Sequence, residues 1–281
     1  MKAAFHIAFY YDATRVGYLN DVIEGLNSIK GANKIFIYSN KNIRHLIKND
    51  LGNITCLRFF YNLKILDPVY KKFGRYPYKH WLKKLGLTFF IHPFFLTWEN
   101  RKVIPEIADD FDVQAYLEDD VRFSDTQFKY WLNNIDICLR HNYNLGFLRY
   151  EVNRESGGTF LTDLTAPLHN IIYLEGKPFL VNDNNPYCAF WIMNKPELKE
   201  FMKSPEWRFE VEGYDERAIS AVGWHGLNMH RYLNTIIPLI QTENNNYRVT
   251  DECLVHHLPD NYINHPDFCK IRYPFTVQSA F

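Results

Sequence analysis

The chain has 281 residues, and its 32 lysines and arginines balance its 32 aspartates and glutamates. This neutral balance gives no support to a nucleic-acid partner, which favours a basic surface. The five cysteines are scattered without a Cys-x-x-Cys pair, which argues against a disulfide-framed secreted fold. The sequence shows neither a signal-peptide pattern nor an apolar run long enough to span a bilayer, so we expect a soluble, cytoplasmic protein.

The first half of the chain alternates predicted strands and helices. Apolar runs predict strands at residues 3–10, 34–38, 54–60 and 113–117. Apolar residues at helical spacing from Leu19 to Ile29 predict a helix after the first strand, and Ile43, Leu46 and Ile47 predict another after the second. Strand–helix–strand order of this kind predicts a mostly parallel sheet with right-handed crossovers.

The second half is predicted to be mixed. Short apolar runs predict strands at 145–152, 171–174, 179–181, 236–240 and 253–256, with short helices at 198–202 and 217–222. No internal repeat or low-complexity linker interrupts the chain. We therefore expect an α/β fold in a single domain of residues 1–281, whose sheet becomes mixed after about residue 144.

Three consecutive acids, Glu118, Asp119 and Asp120, directly follow the apolar run 113–117. Ser124 and Gln127 have the spacing of a capping box that begins a helix. The acids therefore lie at the carboxyl end of a predicted parallel strand, where open α/β sheets bind ligands. Adjacent carboxylates repel one another, and a divalent metal with a phosphorylated ligand offsets that cost. The alternative is a solvated acidic turn.

Two further features supply groups that suit such a site. His256 and His257 follow a predicted strand, where adjacent side chains point to opposite faces, so at most one imidazole would face the acids. The alternative is a surface or capping pair. The acidic run 210–217 places Asp215 or Glu216 at a predicted helix start, where a carboxylate either caps the helix or acts as a general base.

Residues 69–96 form a basic segment with interleaved aromatic residues. Such a segment is typical of a peripheral contact with an anionic membrane surface, or of a grip on an acidic acceptor. The alternative is an excursion whose aromatic rings pack on the body of the protein while its lysines stay hydrated.

The run Tyr116-Leu117-Glu118-Asp119-Asp120 resembles the D-x-D-type motif of GT-A fold glycosyltransferases, in an E-D-D form, and the layout is similar to that family over roughly residues 3–260. The resemblance implies that Asp120 binds a metal, Mn²⁺ or Mg²⁺, which bridges the donor diphosphate. It implies that Glu118 and Asp119 contact the ribose or the metal.

The same resemblance assigns further roles along the chain. It implies that His256 or His257 completes the metal shell and that Asp215 or Glu216 is the catalytic base of an inverting enzyme. It divides the chain into a nucleotide-sugar-binding half, 1–120, and an acceptor and catalytic half, 121–281. Donor-binding roles would fall to Tyr10, Tyr11, Thr14, Arg15, Arg101 and Lys102.

We therefore expect a glycosyltransferase that moves a sugar from a nucleotide-diphosphate donor, which the resemblance implies is UDP-linked, to a glycan or glycolipid acceptor. A nucleotidyltransferase is disfavoured because residues 10–20 contain only Gly17, where a Gly-rich triphosphate loop is expected. A metal-dependent hydrolase lacks its usual histidine spacings. A lectin-like carbohydrate-binding protein is the non-enzyme alternative.

Overall fold

The computed structural model describes residues 1–59, 93–207, 220–221, 235–242 and 246–278. The described strands are, in chain order, β1 (Lys2–Phe9), β2 (Ala32–Ser39), β3 (Ile54–Arg58), β4 (Val113–Glu118), β5 (Val121–Arg122), β6 (Asn144–Leu145), β7 (Leu148–Val152), β8 (Thr159–Leu161), β9 (Ile171–Leu174), β10 (Lys177–Val181), β11 (Phe190–Asn194), β12 (Thr235–Gln241), β13 (Asn246–Val249), β14 (Leu254–His257), β15 (Ile271–Tyr273) and β16 (Val277–Gln278).

The helices within the same ranges are α1 (Val16–Asn27), α2 (Asn100–Ile107), α3 (Asp125–Arg140) and α4 (Lys195–Lys203). None of the helices described is long and apolar enough to cross a bilayer. The contacts divide the chain into two compact units. The first comprises residues 1–20, 31–119 and 192–221, and the second comprises 21–30, 120–191 and 222–281. Folding as one domain stays a prediction.

The first unit contains a five-stranded sheet in the order β11-β4-β1-β2-β3. β1 pairs in parallel with β2 and β4, and β2 pairs in parallel with β3, which confirms the parallel sheet predicted for the first half. Every residue of β4 is buried, and so is β1 after Lys2. Both faces of these central strands are therefore covered, which explains their nearly continuous apolar sequence.

The helix predicted around residues 43–47 is wrong, because the structure forms only a single 3₁₀ turn, Arg44–Leu46. The Asn20 side chain donates to the Leu46 carbonyl at 3.1 Å and accepts from the Lys48 amide at 2.9 Å. These bonds hold the following backbone extended, with Ile47 at φ −83° and ψ 121°, so the turn cannot continue as a helix.

The second unit contains two sheets, one in the order β16-β13-β12-β10-β9 with β6 beside β12, and one in the order β15-β8-β7-β14-β5. β6 pairs in parallel with β12, and β7 in parallel with β14, whereas β7 and β10 also have antiparallel neighbours. The mixed second half and the α/β class are therefore confirmed.

The strand predicted at 145–152 is divided between these two sheets. Gly146 lies between β6 and β7, and its amide donates to the Ile236 carbonyl at 2.8 Å. A Cβ atom at Gly146 would lie 2.8 Å from side-chain carbons of both Ile237 and Thr235. The chain therefore crosses β12 so closely that any larger residue at position 146 would have to displace these side chains, and β6 ends one residue before this glycine.

The predicted capping box is confirmed. The Ser124 amide and hydroxyl both donate to Gln127 Oε1, at 3.1 and 2.7 Å. Ser124 is the N-cap, and α3 begins at Asp125. Phe128, Trp131 and Ile135 form its buried stripe. The basic aromatic segment 69–96 lies outside the described residues up to residue 92, and so does the predicted helix 217–222 apart from the helical residues 220 and 221.

Candidate functional site

The carboxyl edge of the first sheet has the geometry of a ligand-binding crevice. β1 has β2 on one side and β4 on the other, and the chain runs outward from β1 through β2 to β3. Ala8 of β1 is the register partner of Glu118, the buried last residue of β4. The two parallel strands therefore end side by side at a topological switch point, where open α/β sheets bind their ligands.

Asp119, the residue after β4, pairs with Arg15 in the turn that follows β1. Asp12 accepts from the Thr14 amide and hydroxyl, at 2.8 and 2.7 Å, and begins the 3₁₀ turn Ala13–Arg15. Arg15 then donates from Nε and Nη2 to the two Asp119 carboxylate oxygens, at 2.9 and 2.7 Å. Arg15 and Asp119, which the sequence analysis assigned to separate contacts with the donor, are therefore joined to each other by a bidentate ion pair. The Thr14 hydroxyl, also a predicted donor contact, donates a hydrogen bond to Asp12.

Tyr10 and Tyr11 lie at the same edge of the sheet. The Tyr10 side chain is exposed, and the Tyr11 amide donates to Asn40 Oδ1 at 2.8 Å. Lys41 Nζ lies 4.1 Å from the centre of the Tyr11 ring, in a cation–π contact. This edge therefore combines aromatic surface with a lysine that sequence reasoning missed. Its position two residues after β2 is the signal that was available.

The Arg101 side chain is buried among aromatic rings. Its guanidinium carbon lies 4.0 Å from the centre of the Trp98 ring and 4.8 Å from that of Trp207. Its Nη1 donates to the carbonyls of Glu206 and Trp207, at 2.7 and 2.6 Å. Burial lowers the pKa of this guanidinium to about 9. Lys102 instead projects from α2 and pairs with Glu99 at 2.7 Å. The predicted diphosphate contacts of Arg101 and Lys102 stay predictions, and this geometry gives Arg101 a packing role.

In the second unit, strand pairing brings His257 to Asp120. His257 is the register partner of Val121 in the antiparallel pair of β14 and β5. The Leu258 amide donates to the Asp120 carbonyl at 2.9 Å. As a result, His257 Nε2 lies 3.4 Å from Asp120 Oδ2, and both side chains are buried. The structure thus brings together two residues that the sequence places far apart.

The other ring nitrogen of His257 faces Glu151, a residue of β7 that sequence reasoning missed. His257 Nδ1 lies 2.5 Å from Glu151 Oε1, and the Glu151 side chain is fully buried. Burial acts to lower the pKa of His257, but its hydrogen bonds to Asp120 and Glu151 outweigh burial and raise the pKa above its usual value. His257 is therefore an imidazole with a carboxylate at each ring nitrogen.

His256 points away from this cluster, as expected for its neighbour in a strand. Its Nε2 lies 2.9 Å from Asp260 Oδ1, and its ring stacks on Tyr150 with centroids 4.8 Å apart. Asp260 also accepts from the Val152 amide at 3.0 Å. His256 therefore forms part of a partly buried packing arrangement.

A buried ion pair uses the same face of β7. Arg149 donates from Nε and Nη2 to the Asp163 carboxylate, at 2.8 and 2.7 Å, and both side chains are buried. Burial raises the pKa of Asp163 despite the opposing effect of Arg149. Arg149 and Glu151 are alternate residues of an otherwise apolar strand. In the sequence, two charged residues at alternate positions of a predicted strand indicate that both side chains lie on the same face of the sheet and need charged or hydrogen-bonding partners there.

The cluster around His257 suits a divalent cation in part. Within the described ranges, no three His, Cys, Asp or Glu side chains are grouped to hold a metal. Asp120 and His257 would supply one carboxylate oxygen and one imidazole nitrogen, donors that Mn²⁺ accepts. Cations that bind nucleotides commonly take one or two protein ligands and complete their shell with phosphate oxygens and water. The residues present fit that arrangement. Asp215 and Glu216 lie outside the described residues.

No protein-family model matches the chain, and no curated protein matches its sequence. Among solved structures, it is similar to the galactosyltransferase LgtC in complex with donor and acceptor sugar analogues, at 15% identity over 84% of this chain and 72% of that one, with a TM-score of 0.38. It is also similar to mouse xyloside xylosyltransferase 1, at 10% identity over 54% of this chain and 53% of that one, with a TM-score of 0.29.

A third similar structure is the 4-diphosphocytidyl-2C-methyl-D-erythritol synthase of Anaerococcus prevotii, at 11% identity over 92% of this chain and 88% of that one, with a TM-score of 0.39. All three TM-scores lie below 0.5, and the function proposed below is therefore drawn from the site residues.

Proposed function

We propose that this chain is a metal-dependent glycosyltransferase that uses a nucleotide-diphosphate sugar, UDP-linked by preference, to glycosylate a glycan or glycolipid hydroxyl. The observation that carries the proposal is the approach of His257 Nε2 to Asp120 Oδ2, 3.4 Å apart. It joins the last acid of the E-D-D run to a downstream imidazole, the pairing that the resemblance to GT-A enzymes implies.

Asp120 and His257 would hold the cation, Mn²⁺ or Mg²⁺. When bound, the cation supplies Lewis-acid stabilisation of the diphosphate leaving group. Imidazole is a better ligand for Mn²⁺ than for Mg²⁺, so His257 favours Mn²⁺. The burial of both side chains excludes water around the ligands and strengthens their interaction with a cation.

The donor nucleotide is proposed to bind at the carboxyl edge of the first sheet. Tyr10 and Tyr11 offer aromatic rings on which a base stacks, and Lys41 adds a positive charge beside the Tyr11 ring. Glu118 follows on the neighbouring strand and suits a hydroxyl of the ribose. The Arg15–Asp119 ion pair holds the turn after β1 against the residue after β4, and thus gives this edge a fixed shape.

Isothermal titration calorimetry of UDP and of GDP tests the proposal, first with Mn²⁺ and then with excess EDTA. We expect micromolar binding of UDP that disappears with the chelator. Asp120→Asn should abolish this binding, whereas Asp109→Asn, which changes an exposed carboxylate of the first unit, should preserve it. Turnover of UDP-sugars then separates an enzyme from a lectin. No nucleotide binding under either condition would refute the proposal.

A further inference from the structure

We infer that Glu151 is a positioning residue that fixes the proton of His257 on Nδ1 and presents Nε2 to a divalent cation beside Asp120. The inference rests on the metal site of the proposed function and assigns a role to a side chain outside it. Glu151 lies on β7 and would touch neither the nucleotide nor the sugar. Its effect would reach the cation only through the imidazole.

The hydrogen bond of His257 determines which ring nitrogen carries the proton. An ionised carboxylate only accepts hydrogen bonds, and a neutral imidazole carries a single N–H. The geometry favours that proton on Nδ1, because Nδ1 lies 2.5 Å from Glu151 Oε1 whereas Nε2 lies 3.4 Å from Asp120 Oδ2. In the neutral ring, Nε2 then carries the lone pair, and this atom lies on the Asp120 side at 3.4 Å. Histidines that bind metals characteristically donate their other N–H to a carboxylate, which orients the ring and increases its basicity.

Glu151 is itself held rigidly. Its Oε2 accepts from the Tyr262 amide at 2.8 Å, with the Cys269 thiol at 3.8 Å. The Tyr262 ring stacks on His257 with centroids 5.1 Å apart and planes 8° apart, and Phe268 stacks on Tyr262 with centroids 4.6 Å apart. The carboxylate fixes one edge of the imidazole, and the stack fixes its plane. A binding site benefits when its supporting residues are locked in this way.

The arrangement also bears on the choice of cation. A site that offers one carboxylate and one neutral imidazole favours transition metals over Ca²⁺, which prefers oxygen ligands only. We therefore expect Mn²⁺ to bind more tightly than Ca²⁺, and we expect the difference to shrink when Glu151 no longer orients His257.

Two measurements on the full chain test the inference without an activity assay. In metal-free protein labelled with ¹⁵N-histidine, at a pH where His257 is neutral, the nitrogen shifts should show the proton on Nδ1. Calorimetric titration with Mn²⁺ alone should show about 10- to 100-fold weaker binding for Glu151→Gln, the range seen when such supporting partners are removed. Glu197→Gln, which changes a buried glutamate of the first unit, is the matched control.

The outcomes separate this inference from the proposed function. A proton on Nε2 in the wild-type protein overturns the inference, whether or not Glu151→Gln folds. Equal Mn²⁺ affinity in Glu151→Gln and the wild type also overturns it. Mn²⁺ binding that depends on Glu151, in a protein that turns over no nucleotide sugar, supports the inference and removes the glycosyltransferase proposal.

Discussion

His256 and His257 adjoin in the sequence, yet their imidazoles bond to different carboxylates, His256 to Asp260 at 2.9 Å and His257 to Glu151 at 2.5 Å. The alternation of side chains along β14 separates them, and only His257 also faces Asp120. This division provides a matched pair of variants at neighbouring positions.

His257→Asn should weaken Mn²⁺-dependent nucleotide binding by at least about tenfold, because even the loss of a partner behind a metal ligand costs about 10- to 100-fold. His256→Asn should leave this binding close to that of the wild type. Calorimetry with UDP and Mn²⁺ measures both. A larger loss in His256→Asn than in His257→Asn would contradict the assignment of His257 as the ligand.

Arg101→Met should lower the free energy of unfolding and leave nucleotide affinity unchanged. The variant removes two charge-assisted hydrogen bonds to backbone carbonyls, one buried and one partly buried, for a loss of about 2–4 kcal/mol. Lys102→Met, at an exposed position of the same helix, should change stability by less than about 1 kcal/mol. Urea denaturation and calorimetry measure the two properties. Weaker nucleotide binding with unchanged stability would instead support the predicted diphosphate contact of Arg101.

Arg149→Met should destabilise the protein by about 3–5 kcal/mol, because it leaves the buried Asp163 carboxylate without the guanidinium that binds it. The double variant Arg149→Met/Asp163→Leu should recover most of this loss, since neither charge is then buried. Arg154→Ala, which removes an exposed partner of Asp260, is the control. Urea denaturation measures the free energy of unfolding of all three variants. A double variant no more stable than Arg149→Met would contradict the prediction that the unpaired Asp163 carboxylate causes the loss.

His6 should make the stability depend on pH in the mildly acidic range. Its buried ring bonds Tyr38 and Gln114, at 2.8 and 2.9 Å, and burial lowers its pKa from 6.5 to about 4. As the pH falls below 6.5, the unfolded chain binds a proton that the folded protein does not bind until about pH 4. The free energy of unfolding therefore decreases through this window, by about 3 kcal/mol in total.

Urea denaturation at several pH values between 7.5 and 4.5 measures this decrease. His6→Gln removes the titrating group while keeping a polar side chain, and its stability should change less over the same interval. Identical pH profiles for the variant and the wild type would show that His6 is not responsible.

Asp215→Asn and Glu216→Gln should differ sharply in turnover of a UDP-sugar. Removal of a general base typically costs about 10²- to 10⁴-fold in rate, and the more damaging substitution identifies the base. Nucleotide binding by calorimetry, which a base does not control, is the internal reference. Equal and mild effects of the two substitutions would indicate that the cluster only caps a helix.

The sequence alone predicted those features that depend on neighbours along the chain. Apolar periodicity indicated β1, β4 and α3, and the Ser124–Gln127 spacing indicated the helix start. The position of Glu118 at a strand end followed from the same pattern. These features depend on alternation and capping, which act over a few residues and can therefore be read directly.

Tertiary structure decided the partners of the site residues. The pairing of β14 with β5 and β7 selected His257 over His256, placed Glu151 behind its ring, and brought Asp120 to its other nitrogen. Arg15 found Asp119 because β1 and β4 end side by side. Such contacts join residues distant in sequence, and strand register, which no local pattern encodes, determines which of them meet.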